Sequence, residues 1–132
     1  MGVPEQIKER VQARLAAQRA LVGELLQLRE QLQGSLFVRY GQCGKAGCAC
    51  QEGERHGPYY VLSSRTGGRG AFAYLEPARA SKAKQHVARY REFKKGMARL
   101  QKLNQELVDL LRRYQRTQLK NTGRRLGLGV SR

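Results

Sequence analysis

The chain lacks several features on which membrane-bound and disulfide-bonded proteins depend. Its 132 residues include no tryptophan, three cysteines, three prolines and ten acidic residues. An odd number of cysteines argues against a disulfide framework. The apolar runs are far shorter than a bilayer-spanning helix, and no segment combines basic residues with a wide Trp- or Phe-rich apolar face. We therefore expect no membrane association.

The N-terminal sequence, Met-Gly-Val-Pro-Glu-Gln-Ile-Lys-Glu, is charged and has no apolar core of the kind that marks a signal peptide. We therefore expect a cytoplasmic protein, in which thiols stay reduced.

Groups that could act together in catalysis are also scarce. Asp109 is the only aspartate, and no pattern brings it to His56 or His86 as a nucleophile-activating set would require. The acidic residues fall mostly on predicted helices among basic neighbours, which indicates no carboxylate pair for acid–base work. We predict that the chain has no catalytic residues and is not an enzyme. A catalytic metal stays an alternative, because Glu52 and Glu54 lie in the loop that holds the cysteines and either could act as a base.

What the chain has in excess is positive charge. Its 26 basic and 10 acidic residues give a net charge of +16, and residues 110–132 contain seven basic and no acidic residue. A sequence pI of about 10.6 makes a polyanion the leading partner, and we predict that it is nucleic acid.

All three cysteines lie within eight residues, and a histidine follows closely. Cys43, Cys48, Cys50 and His56 are separated by several glycines, which allow tight backbone turns. Thiolates and imidazole are the ligands of structural Zn²⁺ sites, which are closed by four of them. The set predicts such a site. Redox chemistry and inert buried thiols stay open as alternatives, because the C-x4-C-x-C-x5-H spacing is not one of the common finger spacings.

The motifs Cys43-Gly-Lys, Cys48-Ala-Cys50 and His56-Gly-Pro-Tyr-Tyr60 carry a resemblance. Together with the preceding Gly-Ser-Leu and Arg39-Tyr40, they resemble a family of small, basic prokaryotic proteins classed as a domain of unknown function. The resemblance covers residues 34–77 and the helical flanks, and it implies a zinc-binding module. It implies no activity.

Periodicity predicts an α+β fold, a long antiparallel, coiled-coil-like helical hairpin capped by a small three-stranded antiparallel sheet with the zinc loop between its first two strands. Strands are predicted over 35–40, 58–65 and 71–75, with a turn over 66–69. The predicted parts are a helix within 1–33, a zinc-binding β module over 34–77, a helix over 78–118, and a basic flexible tail over 119–132.

Pairing the two helices outward from the sheet predicts that Ile7 lies near Leu103, and that Asn104 occupies a polar core position. The second helix would then extend beyond the first and expose an apolar surface. Such a surface usually marks an interface, so we predict a homodimer or a docking site on a larger nucleoprotein assembly. The predicted interface residues are Leu107, Val108, Leu110, Leu111 and Tyr114.

The function predicted from these features is zinc-stabilised binding of nucleic acid. Duplex DNA is preferred over RNA because a long helix with a flexible arm suits groove and backbone contacts. The alternatives are RNA binding and a non-catalytic adaptor subunit of a larger nucleoprotein assembly. Exposed aromatics among Tyr59, Tyr60, Phe72 and Tyr74 could stack on bases. The predicted phosphate-binding residues are Arg39, Lys45, Arg55, Arg65, Arg69, Arg112, Arg113, Arg116, Lys120, Arg124 and Arg125.

Overall fold

The computed structural model describes residues 2–41, 44–65 and 70–129, which form two helices and one sheet. The elements in chain order are α1 (Val3–Gln27), β1 (Gly34–Gly41), β2 (His56–Ser64), β3 (Ala71–Leu75) and α2 (Pro77–Arg125). The α+β prediction is confirmed. The chain divides into two compact units, one of Met1–Gln27 with Lys94–Arg132 and one of Leu28–Phe93. Neither helix contains, within the described residues, a stretch long and apolar enough to cross a bilayer.

The sheet is antiparallel with strand order β1-β2-β3, as the alternation of β-branched and aromatic residues predicts. Phe37 lies opposite Val61, and Val61 lies opposite Tyr74 on the other side. The pairing of β1 with β2 is irregular between Arg39 and Gly41. The predicted turn over 66–69 lies outside the described residues.

One side of the sheet unit contains a groove between β1, β2 and the first turns of α2. Val87 of α2 is buried there, with Ala80 and Ala83 also buried on the same helix. These three positions follow a three- and four-residue spacing, which places them on one helix face. The groove is lined by Leu36, Phe37, Val38, Tyr60, Lys84, Val87, Ala88 and Arg91.

In the other unit α1 packs antiparallel against the C-terminal part of α2. Arg14 Nε donates to Glu106 Oε2 over 2.6 Å, and Gln18 Nε2 donates to Asn104 Oδ1 over 2.6 Å. A Cβ at Gly96 would overlap the Leu25 side chain, so glycine is what allows the helices to approach there. The buried side chains of this contact are Ile7, Leu21, Leu25, Leu107 and Leu110.

The predicted helix pairing is therefore wrong. Lys8 Nζ lies 5.8 Å from the centre of the Tyr114 ring, whereas the prediction placed its neighbour Ile7 near Leu103. This is a shift of about twelve residues, or about 18 Å along α2. The cause is the end of α1, which stops at Gln27 instead of residue 33. Residues 28–33 are non-helical, and an extended residue spans about twice the length of a helical one. The connection is therefore longer than predicted, and each residue of α1 lies opposite a residue farther toward the C-terminus of α2.

The connection between α1 and β1 is held by hydrogen bonds that no sequence pattern displays. The Leu32 N–H donates to the His86 carbonyl over 3.1 Å, and Ser64 Oγ donates to the Gln33 carbonyl over 2.6 Å. His86 Nε2 lies 3.0 Å from Glu30 Oε2. These contacts take backbone groups that a continued helix would use internally, which is why α1 ends early.

The prediction of a flexible tail over 119–132 is wrong for the first half of that segment. Helix α2 continues to Arg125. It ends with Gly127 at φ +75°, where the Gly127 N–H donates to the Arg124 carbonyl and the Leu128 N–H to the Gly123 carbonyl, over 3.0 and 2.9 Å. These two bonds form a Schellman cap, which satisfies the last carbonyls of the helix. Residues 130–132 lie outside the described residues.

Candidate functional site

Three of the four predicted metal ligands come together beside the sheet. The ligand atoms of Cys48, Cys50 and His56 all lie within 4.8 Å of one another. Cys48 Sγ lies 3.2 Å from His56 Nε2. Cys50 is 2% exposed, Cys48 is half-buried and His56 is exposed. The group is thus anchored on its buried thiol and reaches the surface at its imidazole.

A tight turn and a single helical turn place the two thiols. The Cys48 N–H donates to the Lys45 carbonyl over 3.4 Å, and Gly47 inside this turn has φ +77°. A positive φ at the third residue of a turn favours glycine. A 3-10 turn over Ala49–Gln51 then follows directly, with the Gln51 N–H donating to the Cys48 carbonyl over 3.1 Å. This turn brings Cys50 back toward Cys48.

The sheet supplies the third ligand. His56 is the first residue of β2 and pairs with Gly41 at the end of β1. Next to it, Gly57 has φ +143°, and a Cβ there would lie 2.7 Å from Tyr40 Cδ1 and 2.9 Å from the Arg39 carbonyl oxygen. Only glycine fits this approach. The imidazole is therefore fixed by the irregular end of the β1–β2 pair.

The donor set fits a tetrahedral metal ion. With Zn–S near 2.3 Å and Zn–N near 2.0 Å, ligand atoms round zinc are separated by about 3.6 to 3.8 Å. The observed spread of the three ligand atoms surrounds this range, so small side-chain rotations bring them onto one ion. Neither Glu52 nor Glu54 belongs to the group. The fourth predicted ligand, Cys43, lies outside the described residues.

The predicted phosphate-binding residues fall into two sets. Four lie in the sheet unit and are exposed there: Arg39, Lys45, Arg55 and Arg65. Six lie on the C-terminal part of α2 and are also exposed: Arg112, Arg113, Arg116, Lys120, Arg124 and Arg125. Arg69 lies outside the described residues.

Within the α2 set, four cations recur at every fourth residue. Residues four apart lie on one helix face, so this cationic row runs along a single side of the helix. Its members are Arg112, Arg116, Lys120 and Arg124. The opposite side carries the buried Leu107 and Leu110.

Five residues of α2 were predicted to form an exposed apolar interface, and two of them are buried. Leu107 and Leu110 are 8% and 7% exposed because α1 covers α2 farther than the predicted pairing allows. Tyr114 is half-buried and lies under Lys8. Val108 and Leu111 are 40% and 53% exposed. For these two the interface stays a prediction.

The structure also separates the candidate stacking residues. Successive side chains of a strand point to opposite faces, so Tyr59 and Tyr60 of β2 lie on different faces. Tyr60 lines the groove beside α2. Phe72 and Tyr74 share the Tyr59 face through the β2–β3 register. Phe37, which sequence reasoning missed, shares this face by register because it pairs with Val61, although it also contributes to the lining of the groove. The sequence indication for Phe37 was the alternation of side chains along β1. This alternation does not say which face Phe37 shares with the tyrosines until the register of β1 against β2 is known.

A family model matches more than half of the chain. The model of a family described as a domain of unknown function, DUF6788, matches residues 4–85. This range contains α1, the whole sheet, the cysteine and histidine group, and the first turns of α2. No curated protein and no solved structure matches the chain.

Proposed function

The chain belongs to the DUF6788 family, and from its site we propose a zinc-stabilised, nucleic-acid-binding protein that holds phosphates on the cationic row of α2. The observation that carries this proposal is the row itself, Arg112, Arg116, Lys120 and Arg124. All four side chains are exposed. Along the helix axis they are spaced by about 6 Å.

The row is unfavourable for the helix that carries it. Like charges four residues apart destabilise a helix by about 0.2 to 0.5 kcal/mol per pair. The row contains three such pairs, and the nearest acidic residue on the chain, Asp109, reaches only its first member, Arg112. Bound phosphates would remove this repulsion, because each cation would then face an anion and release a counterion. A polyanion is therefore the ligand that complements the row.

The metal has a structural role in this proposal. Zinc is the ion that suits two thiolates and an imidazole in a closed site, and Cys43 is proposed as the fourth ligand. A closed site leaves no position for an activated water, so we propose that the protein binds without catalysing a reaction. Reduced, metal-bound thiols are expected in the cytoplasm.

The length of α2 changes the expected nucleic acid. The preference for duplex DNA depended on a flexible arm after residue 118, and that segment is helical to Arg125. The helix row itself contacts phosphates, which duplexes and single strands both have. The row therefore supports nucleic acid as a class.

The test is the salt dependence of binding by the full chain. For a labelled oligonucleotide, log Kobs should fall linearly with log salt, with a slope of about −3 for four phosphate contacts. Arg116→Gln combined with Lys120→Gln should make the slope shallower by about 1.5. The matched control, Arg10→Gln with Arg19→Gln, removes the same charge from exposed positions on α1 and should leave the slope nearly unchanged. Absence of binding, or equal slopes for the two double variants, would exclude the row as the phosphate site.

A second candidate function is an adaptor that docks on a protein or on a second copy through α2. It is favoured by the exposure of Val108 (40%), Leu111 (53%) and Leu119 (66%). Val108 and Leu111 are three residues apart and Leu119 follows eight residues later, which places all three on the part of the helix surface beside the cationic row. The salt titration separates the two candidates, because an adaptor needs no oligonucleotide.

A further inference from the structure

One face of the sheet carries four aromatic rings and one arginine. Strand alternation and the two registers place Phe37, Arg39, Tyr59, Phe72 and Tyr74 on the same face. The rings are exposed by 42% for Phe37, 43% for Tyr59, 71% for Phe72 and 64% for Tyr74. Exposed rings gathered on one sheet face are unusual for a stable surface, since each leaves a large apolar area in water.

The rings are held in place by one another and by the strands. The Tyr59 and Tyr74 rings lie edge to face, with centroids 6.4 Å apart and planes at 88°. Arg39 Nη1 donates to the Tyr74 hydroxyl over 3.0 Å. Val61, between Phe37 and Tyr74 in the register, is 3% exposed. The aromatic face is therefore organised before any ligand arrives, which lowers the entropy lost on binding.

The charge within the three strands of this aromatic face has one sign. The three strands contain no Asp or Glu, and Arg39 is their only arginine or lysine. The loop before β2 holds two exposed cations, Lys45 and Arg55, and two exposed acids, Glu52 and Glu54, and exposed Arg65 follows the last residue of β2. A ligand that complements the rings and Arg39 carries flat π-faces and negative charge. Nucleotides have both, since bases stack on aromatic rings and phosphates pair with Arg and Lys.

We propose that the aromatic face stacks the unpaired bases of single-stranded nucleic acid. The inference rests on the proposed function and gives it a substrate class. Bases inside a duplex are already stacked on one another, so an aromatic side chain cannot stack on them. Only single-stranded or unpaired bases have a free face for such a contact. The cationic row of α2 accepts phosphates of either form, and the sheet selects the form whose bases are free.

The experiment compares single-stranded and duplex oligonucleotides by fluorescence anisotropy with the full chain. Strands of about 15 nucleotides are suitable, because base-stacking folds occupy about 4 to 16 nucleotides. Oligo-dT and oligo-rU arms decide between DNA and RNA, and a blunt duplex of the same length is the reference. Single strands should bind more tightly than the duplex in at least one of the two arms.

Two substitutions test the rings themselves. Phe72→Ala and Tyr74→Ala should each weaken single-strand binding by about 5- to 100-fold, the range typical of losing one stacked base. Tyr74→Phe is the matched control, because it keeps the ring and removes only the hydroxyl that accepts from Arg39. The large exposure of Phe72 means that its removal should not change thermal melting.

The outcomes separate the inference from the proposed function. If Phe72→Ala and Tyr74→Ala bind single strands as tightly as the original chain, or if the duplex binds as well as both single strands, the stacking proposal is overturned while a steep salt slope still supports phosphate binding. If no oligonucleotide binds at all, the proposed function is overturned and the stacking proposal is overturned with it.

Discussion

Metal removal is the perturbation for which the structure predicts the largest effect. Among the described residues of the sheet unit, the buried apolar side chains apart from Cys50 are Val61, Val87, Ala80 and Ala83. Burying two valines and two alanines contributes about 5 kcal/mol. A structural zinc in a small finger contributes about 10 kcal/mol or more to folding. Most of the stabilisation specific to this unit is therefore expected to come from the metal.

Chelation should unfold the sheet and leave the other unit folded. Amide hydrogens of the strands, including that of Val61, should lose protection from hydrogen exchange by at least about 100-fold, equivalent to about 3 kcal/mol. Amides near Ile7 and Leu21 on α1 should keep their protection, because their core contains no metal ligand. Hydrogen exchange read by mass spectrometry measures both in one sample.

A ligand variant provides the control for the chelator. Cys50→Ser should already show the unprotected strands, and adding chelator to this variant should change nothing further. Metal content has to be measured in each sample, with about one zinc per chain expected before treatment. If the strands stay protected in protein from which the metal has been shown to be absent, the metal does not hold the sheet together and the reasoning above fails.

Three further predictions follow from single positions. Gly57→Ala should lower the melting temperature and the retained zinc, since it places a Cβ 2.7 Å from Tyr40 at φ +143° and costs about 1 to 3 kcal/mol; unchanged melting would contradict it. Gly96→Ala should destabilise the helical unit by about 1 to 3 kcal/mol through overlap with Leu25, and thermal melting should show whether Leu25→Ala restores part of the loss. Leu111→Glu should abolish any self-association seen by analytical ultracentrifugation. It should not change the melting temperature, because Leu111 is 53% exposed. If the unmodified chain is itself a monomer, the homodimer prediction is wrong.

The strands could be predicted because their information is local. β3 was predicted over the same residues, 71–75, that it occupies, and the other two strands differ from their predictions by only one or two residues at their ends. Short runs of β-branched and aromatic residues between glycines and prolines carry this signal. The cysteine and histidine group was predictable for a related reason, since ligand type and close spacing already limit where the chain can fold.

The helix ends and the contact seam could not be predicted as well. The heptad pattern placed Asn104 in the core, but Asn104 is exposed and Leu103 is half-buried in its place. The spacing of Leu103, Leu107 and Leu110 contained the correct phase. A single heptad phase for the whole of α2 could not show this, because the buried positions of its N-terminal part, such as Ala83 and Val87, follow a different phase. A phase change within one continuous helix is set by what packs against each part, which is tertiary information.

The metal group and the aromatic face are linked through the end of the β1–β2 pair. His56 pairs with Gly41, and Gly57 packs against Tyr40 and the Arg39 carbonyl. Arg39 is thereby held opposite Tyr59, close enough to reach the Tyr74 hydroxyl on the next strand but one. Fixing the imidazole on a metal therefore also fixes the strand ends that present the rings. A metal beside the proposed binding face would therefore serve both the stability of this small unit and the placement of its rings.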